Sequence, residues 1–548
     1  MKDYLPRTCD AMVIEMMKDE IVESSSKFQV GGQPGHGPDE HLYSIKSLMA
    51  LKEYAGDGML FTLVDIVAFF DRENILDVMD TLNEIGVNKK AARLFFKLNE
   101  GTEVAVKTVG GLSKTVFVGD CIGQGTAAGA IVSAANLDQG LKQYFDRSQD
   151  EMHFGSVRLQ PVAYQDGLDH ANKDVHQAQV GNTKLASMLQ DKGLEAHKDK
   201  TCFIVFGNDE YKDKVKNDLE QNPLMFGKFL VTQRESEKYL GQILHTGGLS
   251  SSAEATAKER AGRIRGAAIE VKSIIEEFEM QAMGGLMAAW ELWEKALVPS
   301  LLNGAGTWIG DVSKAANMCD DIQNFFWRVV LSVPESCPKL ALRCETGMLG
   351  MKWRIWLNKI MMLVRIKCKE EETLCKQIYE EEKLKGWPGL SKEVTKICDD
   401  IGIPDVNHQY VPTKDIKQAI VRHHYADMKT GLDKSTKLES IKNEAFTKPQ
   451  SYMHNKSIEN GRLAFRIRSQ MVDNIPANFK NKFTNDKQRL ICKYCPAGDI
   501  LSQSHCLVCT AWQELRVGLD LNQIKDLTIY FRKLLTERSK MDKKEVKA

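Results

Sequence analysis

The sequence predicts an α+β fold: a split βαβ, ferredoxin-like sheet, then a long helical region, then a small Cys/His module. Three observations predict it. Apolar runs and amphipathic stretches come in the order strand, helix, helix, strand-turn, helix, strand between residues 58 and 207. From about 250 to 445 the apolar periodicity becomes almost purely helical. Near the C-terminus, cysteines that are otherwise scattered singly gather with a histidine.

Taken in order, residues 9–24 read as a short helix and "SSSKFQVGGQPGHGPDEHLY" (24–43) as a Gly/Pro-rich turn region. A helix from about Glu40 to Tyr54 follows. "GMLFTLVDIVAFF" (58–70) reads as a buried strand broken only by Thr62 and Asp65. Asp71 is placed to cap the next helix, whose Ile75, Val78, Met79, Leu82 and Ile85 share one face before Gly86 closes it. "TVFVGDCIGQGTAAGAIVSAANLDQGL" gives a strand, a Gly-Gln-Gly turn and a small-residue helix. "VAYQDG" is the next strand and turn, a helix over about 172–192 ends at Gly193, and "KTCFIVFG" (200–207) and "KYLGQIL" (238–244) are further strands. "HTGGLSSSAEA" (245–255) marks a domain boundary. A basic, loop-rich stretch spans 446–490, and a charged helical tail follows the Cys/His cluster.

The 548-residue chain is 43% hydrophobic and 27% charged with no net charge. No global field therefore draws it to nucleic acid or membrane, and an anion-binding surface must be local. No run of about 20 apolar residues lacks charges, so no membrane span is read. The N-terminus lacks a signal peptide's apolar stretch, and scattered cysteines suit the reduced thiols of cytoplasm or nucleus.

Two constellations can carry chemistry. Asp65 and Asp166 each end an apolar strand, and in a split βαβ sheet such strands can be neighbours with both carboxylates at one edge. That is the donor set for Mg²⁺, and two such ions stabilise the attacking and leaving oxygens of a phosphoryl displacement. Between them lies "GQGTAAGA" (123–130), whose glycines let a backbone approach a ligand. Each feature alone is as readily a strand end or a tight turn. The second constellation is Cys492, Cys495, His505 and Cys509, spaced C-x2-C-x9-H-x3-C, which offers a structural Zn²⁺ two thiolates on a turn and two ligands on a following helix.

In this order and spacing, "LVDIVAFFDRENILDVM", "GQGTAAG", "AYQDG", "HKDKTCFIVFG" and "KYLGQIL" resemble the motifs of a reverse transcriptase of non-LTR (LINE-type) retrotransposons. The resemblance runs from near Gln29 to about Trp512. It implies a right-hand polymerase with partial fingers (1–57), palm (58–245), helical thumb and linker (246–445), basic connector (446–490), CCHC zinc knuckle (491–515) and charged helical tail (516–548). By resemblance, Asp65 and Asp166 hold two Mg²⁺ (or Mn²⁺) ions and Lys200 sits near the triphosphate. Phe70 screens the sugar 2′ position, Gln124 and Gly125 line template and incoming nucleotide, and Tyr164 opens the Tyr-X-Asp-Asp turn. Leu240 and Gly241 centre the hairpin that grips the primer. The implied partners are an RNA template, a DNA primer or nicked target and deoxynucleoside triphosphates.

The sequence departs from that pattern. Gly167 stands where the family has the second Asp of the turn, which removes one negative charge beside the metals. The basic residue expected near Gly37 is missing, and no endonuclease or full fingers segment precedes the motifs, so the chain reads as an N-terminally truncated or degraded copy or as a fragment of a longer reading frame. A catalytically inactive nucleic-acid-binding remnant is the rival reading.

Other residues have plainer readings. Asp169 reads as a surface residue, and His36 and His41 as loop residues. "KEEETLCKQIYEEEKLKG" reads as an exposed charged helix, and the Trp and Met residues of the helical region as core. Between Gly461 and Lys493, eight Lys/Arg face two Asp, with Phe465, Phe479 and Phe483 interleaved. That composition suits single-stranded nucleic acid.

Overall fold

The computed structural model describes residues 4–32, 36–101, 103–105, 107–117, 122, 127–145, 152–159, 161–277, 285–435, 438, 441–442, 446, 448–455, 457–472, 491–497 and 499–545. Its first half runs α1 (Tyr4–Glu15), α2 (Lys18–Ser24), α3 (Pro38–Ala55), β1 (Met59–Asp65), α4 (Ile75–Glu84), α5 (Lys89–Asn99), α6 (Ala127–Phe145), β2 (Val162–Tyr164), β3 (Gly167–Asn172), α7 (Val175–Asp191), β4 (Cys202–Phe206) and β5 (Thr232–Gln233). The sheet order is β5-β4-β1-β3-β2. All neighbours are antiparallel except β5, which lies parallel to β4. The four strands from β4 to β2 have the order of a split βαβ sheet, as the sequence predicts.

Alternation along β1 divides the core. Met59, Phe61 and Leu63 join one buried cluster, Leu60 and Val64 another on the opposite face. Asp65 follows the parity of Leu63, so it projects to the face that meets α3 and the helical region.

Three local details differ from the sequence reading. The strand stops at Asp65 instead of running to Phe70, because Ala68 turns left-handed (φ 46°) and starts a one-turn helix, Phe69–Arg72. Asp71 lies inside that turn, and Asn74 caps α4 by accepting from the Leu76 amide at 2.9 Å. The N-terminal segment, read as one helix, forms two. Their Val13, Met17 and Ile21 are fully buried against Val78, Leu82, Phe95 and Val132.

After the hairpin β6 (Ser236–Tyr239) and β7 (Gln242–His245), the chain passes directly into α8 (Gly248–Glu277), which packs on α9 (Ser313–Leu331). Trp293, Trp308, Phe326 and Trp327 fill that interior, as the helical spacing of aromatics predicts. The cluster on the Asp65 face continues through α10 (Met351–Lys367), α11 (Leu374–Lys385) and α12 (Leu390–Asp400). One core thus joins sheet and helices.

The charged helix α11 is only partly exposed. Its Glu382 is buried, accepting from the Tyr43 hydroxyl at 3.0 Å and the Ser391 amide at 2.7 Å, and burial pushes its carboxyl up to about 7. Glu381 accepts from the Ser156 amide and hydroxyl, both at 3.0 Å. Its charge run hid this because burial depends on distant donors. Among the described residues, no helix is long and apolar enough to cross a membrane.

Candidate functional site

The rim of the sheet gathers residues far apart in sequence. Asp65 ends β1 and pairs with Gly167 across the ladder, which brings the neighbouring Asp166 to the same rim. The Ile66 amide donates to the Asp166 carbonyl at 3.2 Å, fixing the turn against the strand end. Lys200, just before β4, donates to Asp65 Oδ2 at 3.0 Å. Asp65, Asp166 and Lys200, singled out from sequence, therefore converge.

Their charges feel one another. Partial desolvation holds the Asp166 carboxyl above the usual carboxylate range. The negative charge of Asp65 adds to the rise, while the turn's own backbone amide and Lys200 pull the other way. A half-buried carboxylate held beside a second one at the same rim is a fitting donor set for a divalent cation. Lys200 is the cation that neutralises Asp65 in this structure.

Strained backbone surrounds the rim. Ala68, Gln165 and Leu240 are non-glycine residues with φ of 46°, 56° and 46°. Such conformations persist only where the surroundings over-determine them, and they concentrate at functional sites. Gly31 packs beneath the turn, where a Cβ would lie 2.7 Å from the Tyr164 carbonyl carbon, so only glycine fits. The Val30 amide also donates to the Ala163 carbonyl at 2.9 Å, tying this N-terminal loop to β2.

Tyr164 is half-buried beside the turn. Phe70, also half-buried, bridges two apolar clusters, its ring 5.2 Å from Phe69. Leu240 and Gly241 form the tip of the β6–β7 hairpin, with Leu240 packed on the core that faces the rim. Gln124 and Gly125 lie outside the described residues.

Two sequence readings are corrected here. Asp169 is 2% exposed, and His41 lies inside α3 at 1% exposure. They bond each other, and the Tyr239 hydroxyl donates to Asp169 Oδ2 at 2.6 Å. Strand pairing sets Asp169 opposite Leu63, on the face of the buried cluster that holds Met59 and Phe61. His41 and Tyr239 carry no sequence signal of this contact, being 128 and 70 residues away.

The basic flank is also partly corrected. Arg462 is buried, donating to the Val330 carbonyl and pairing with Glu276 and Glu459. Arg466 donates to the Ser332 carbonyl, and Arg468 grips Glu345 with two bonds. Phe465 is fully buried. These side chains hold the helical body together. Lys480, Lys482, Lys487, Arg489, Phe479 and Phe483 lie outside the described residues.

The Cys/His module closes into one cluster. Cys492, Cys495, His505 and Cys509 place one ligand atom each within 4.8 Å of the others. Cys492 Sγ lies 4.0 Å from Cys509 Sγ, and Cys495 Sγ 3.5 Å from His505 Nε2. Tetrahedral Zn²⁺ with Zn–S bonds of about 2.3 Å spaces its sulfurs about 3.8 Å apart, so the donor set fits. His505 turns its other nitrogen, Nδ1, to Asp499 Oδ2 at 3.4 Å, the outer partner that a metal-binding imidazole commonly has. Ser502 caps the short helix Gln503–Val508 by accepting from the His505 amide. Cys506 is buried and lies outside the ligand set, as the spacing predicts. The module packs Cys506 and Trp512 against Tyr530, Phe531 and Leu534 of the last helix, Ile524–Glu545.

No family model matches this chain, and no curated protein matches it. Among solved structures, the chain is distantly similar to telomerase from Candida albicans in complex with a TWJ fragment of telomeric RNA. That match has a TM-score of 0.32 and 13% identity, and covers 71% of this chain and 55% of the telomerase chain. This chain thus spans about half the length of that protein.

Proposed function

We propose that this chain is an RNA-directed DNA polymerase of the non-LTR retrotransposon type. The observation that carries the reading is the meeting of Asp65, Asp166 and Lys200 at one rim of a split βαβ sheet. The motif order supports it. In this reading Asp65 and Asp166 hold Mg²⁺ or Mn²⁺, which would supply charge neutralisation at the triphosphate and at the primer hydroxyl.

The protein's own part is positioning. Tyr164 and Phe70 floor the nucleotide site, with Phe70 set against the sugar 2′ position. Gln124 and Gly125 contact template and nucleotide. Leu240 and Gly241 hold the primer end at the rim. Lys200 exchanges its bond with Asp65 for the phosphates when a nucleotide arrives. Residues 1–57 act as partial fingers, 58–245 as palm and 246–445 as thumb and linker. Lys480, Lys482, Lys487 and Arg489 of the connector (446–490) and the zinc knuckle over 491–515 bind single-stranded nucleic acid, and 516–548 buttress the knuckle. Nicked DNA serves as primer, and the protein works in cytoplasm or nucleus.

A second reading is favoured by Gly167 and by the Lys200–Asp65 pair: a catalytically inactive descendant that binds nucleic acid. Primer extension on poly(rA)/oligo(dT) with Mg²⁺ or Mn²⁺ separates the two. Extension abolished by Asp65→Ala supports the polymerase. Binding without extension, unimproved by Gly167→Asp, supports the inactive form. That repair is sterically allowed, since the nearest atoms to a Cβ at 167 are Tyr164 O at 3.5 Å and the Tyr239 ring and hydroxyl at 3.6 and 3.9 Å, ordinary van der Waals distances.

A further inference from the structure

Behind the rim, three side chains from three separate elements meet on one carboxylate oxygen. Tyr239, ending β6, donates to Asp169 Oδ2 at 2.6 Å. His41 of α3 bonds the same oxygen through Nε2, which also lies 3.1 Å from the Tyr239 hydroxyl. All three residues are buried. A buried hydrogen-bonded polar cluster adds little net stability over apolar packing of equal volume. What it does fix is the mutual position of the elements it joins.

One of those elements carries a strained tip. Leu240 and Gly241 have φ of 46° and 77°, so both central residues of the β6–β7 turn are left-handed, one of them a bulky leucine. Both feet of the turn are held. On one side stand Asp169 and His41 through Tyr239. On the other, Gln242 is buried and donates to the Gly304 carbonyl and Thr307 Oγ1 at 3.0 Å. Lys46 and Trp308 donate to its Oε1, and Arg260 donates to the Gly241 carbonyl at 2.7 Å. The first foot leads back to the rim, because Asp169 follows Gly167 by two residues on the same strand face.

We propose that Asp169, Tyr239 and His41 form a clasp that sets the Leu240–Gly241 tip against the Asp166 turn, so that a primer end held by the tip meets the rim carboxylates. This proposal rests on the polymerase reading. The three residues touch no substrate; they are positioning residues that act through the tip.

Tyr239→Phe removes one hydroxyl and keeps the ring. Tyr43→Phe is the control, because it deletes another buried tyrosine's hydroxyl, one donated to Glu382. With poly(rA)/oligo(dT), Tyr239→Phe raises KM for primer–template about tenfold and moves KM for the nucleotide less than about twofold, and Tyr43→Phe moves neither more than about twofold. A loss of folded protein alone would lower the amount of active enzyme and leave both KM values in place. Amide hydrogen exchange over 236–245, measured without substrate, accelerates about tenfold in Tyr239→Phe and not in Tyr43→Phe. Faster exchange with an unchanged primer–template KM would overturn the positioning role, and unchanged exchange would overturn the clasp itself. If the wild-type chain extends no primer, the polymerase reading fails while the exchange result still decides whether the clasp holds the tip.

Discussion

The knuckle and the rim are built in opposite ways. The four knuckle donors come from one short stretch, Cys492 to Cys509, and their spacing alone sets their approach. The rim gathers Asp65, Asp166 and Lys200 from three chain segments, and the groups behind it reach further, His41 and Tyr239 being 198 residues apart. A local site carries its geometry in its own turns. A rim borrows geometry from the whole sheet, so its failure modes are distributed and its success depends on packing elsewhere.

That difference can be broken most sharply with paired variants. On the proposed polymerase reading, Asp166→Asn should cut primer extension by about a thousandfold or more, because it removes charge where that reaction's charge would develop. Cys495→Ser should leave nucleotide turnover within about threefold on a short primer. Parity between the two variants would mean that the sites are not independent.

The next effect belongs to the knuckle. The purified chain should carry one zinc by elemental analysis, and Cys495→Ser or a strong chelator should remove it. Structural zinc contributes on the order of 10 kcal/mol to small modules. Its loss should therefore loosen the segment from Ile491 through the last helix, seen as exposure of the buried Trp512 in fluorescence. Retained zinc in the variant would contradict the ligand set.

A smaller effect sharpens the rim. Gly167→Asp restores one negative charge beside Asp65 and Asp166, and should tighten Mn²⁺ binding by about tenfold. An unchanged affinity would mean that residue 167 faces away from the cation.

The smallest tests the packing that the rim borrows. Glu73 is buried, and burial pushes its carboxyl up to about 7 from an ordinary value of 4.5. Asn136 donates to one of its oxygens at 3.0 Å. Between those pH values the folded state holds a proton that the unfolded chain has released. The contribution is therefore fully present below about pH 4.5 and is lost as pH rises through about 7. Glu382 acts with the same sign. The stability of Glu73→Gln relative to the wild type should therefore rise by on the order of 1–3 kcal/mol between pH 5 and pH 7.5, read from the melting temperatures of the two proteins at each pH. An identical slope in the variant would show that Glu73 is not the titrating group.

The sequence made some of this legible. The approach of Asp65 and Asp166 at one rim could be anticipated because a carboxylate at the end of an apolar run contradicts burial, and the Cys/His cluster because its spacing is short. The sheet order followed from the order of strands and helices. Asp169 reads as a surface residue from sequence because its partners lie across the fold; only its pairing opposite Leu63 puts it on the buried face. The charged run of α11 hid Glu382 for the same reason, its hydroxyl donor Tyr43 lying 339 residues away. Arginines 462, 466 and 468 suggested a nucleic-acid surface, yet carbonyls and carboxylates of distant segments consume them. Composition counts charges and cannot say which are already bonded.

The most direct test is Mn²⁺ binding, followed by electron paramagnetic resonance, in the wild type and in Asp65→Asn and Asp166→Asn. One tight class of Mn²⁺ is expected in the wild type, removed by either substitution, because both carboxylates share it. Tight binding that survives one of the two substitutions would contradict a shared site.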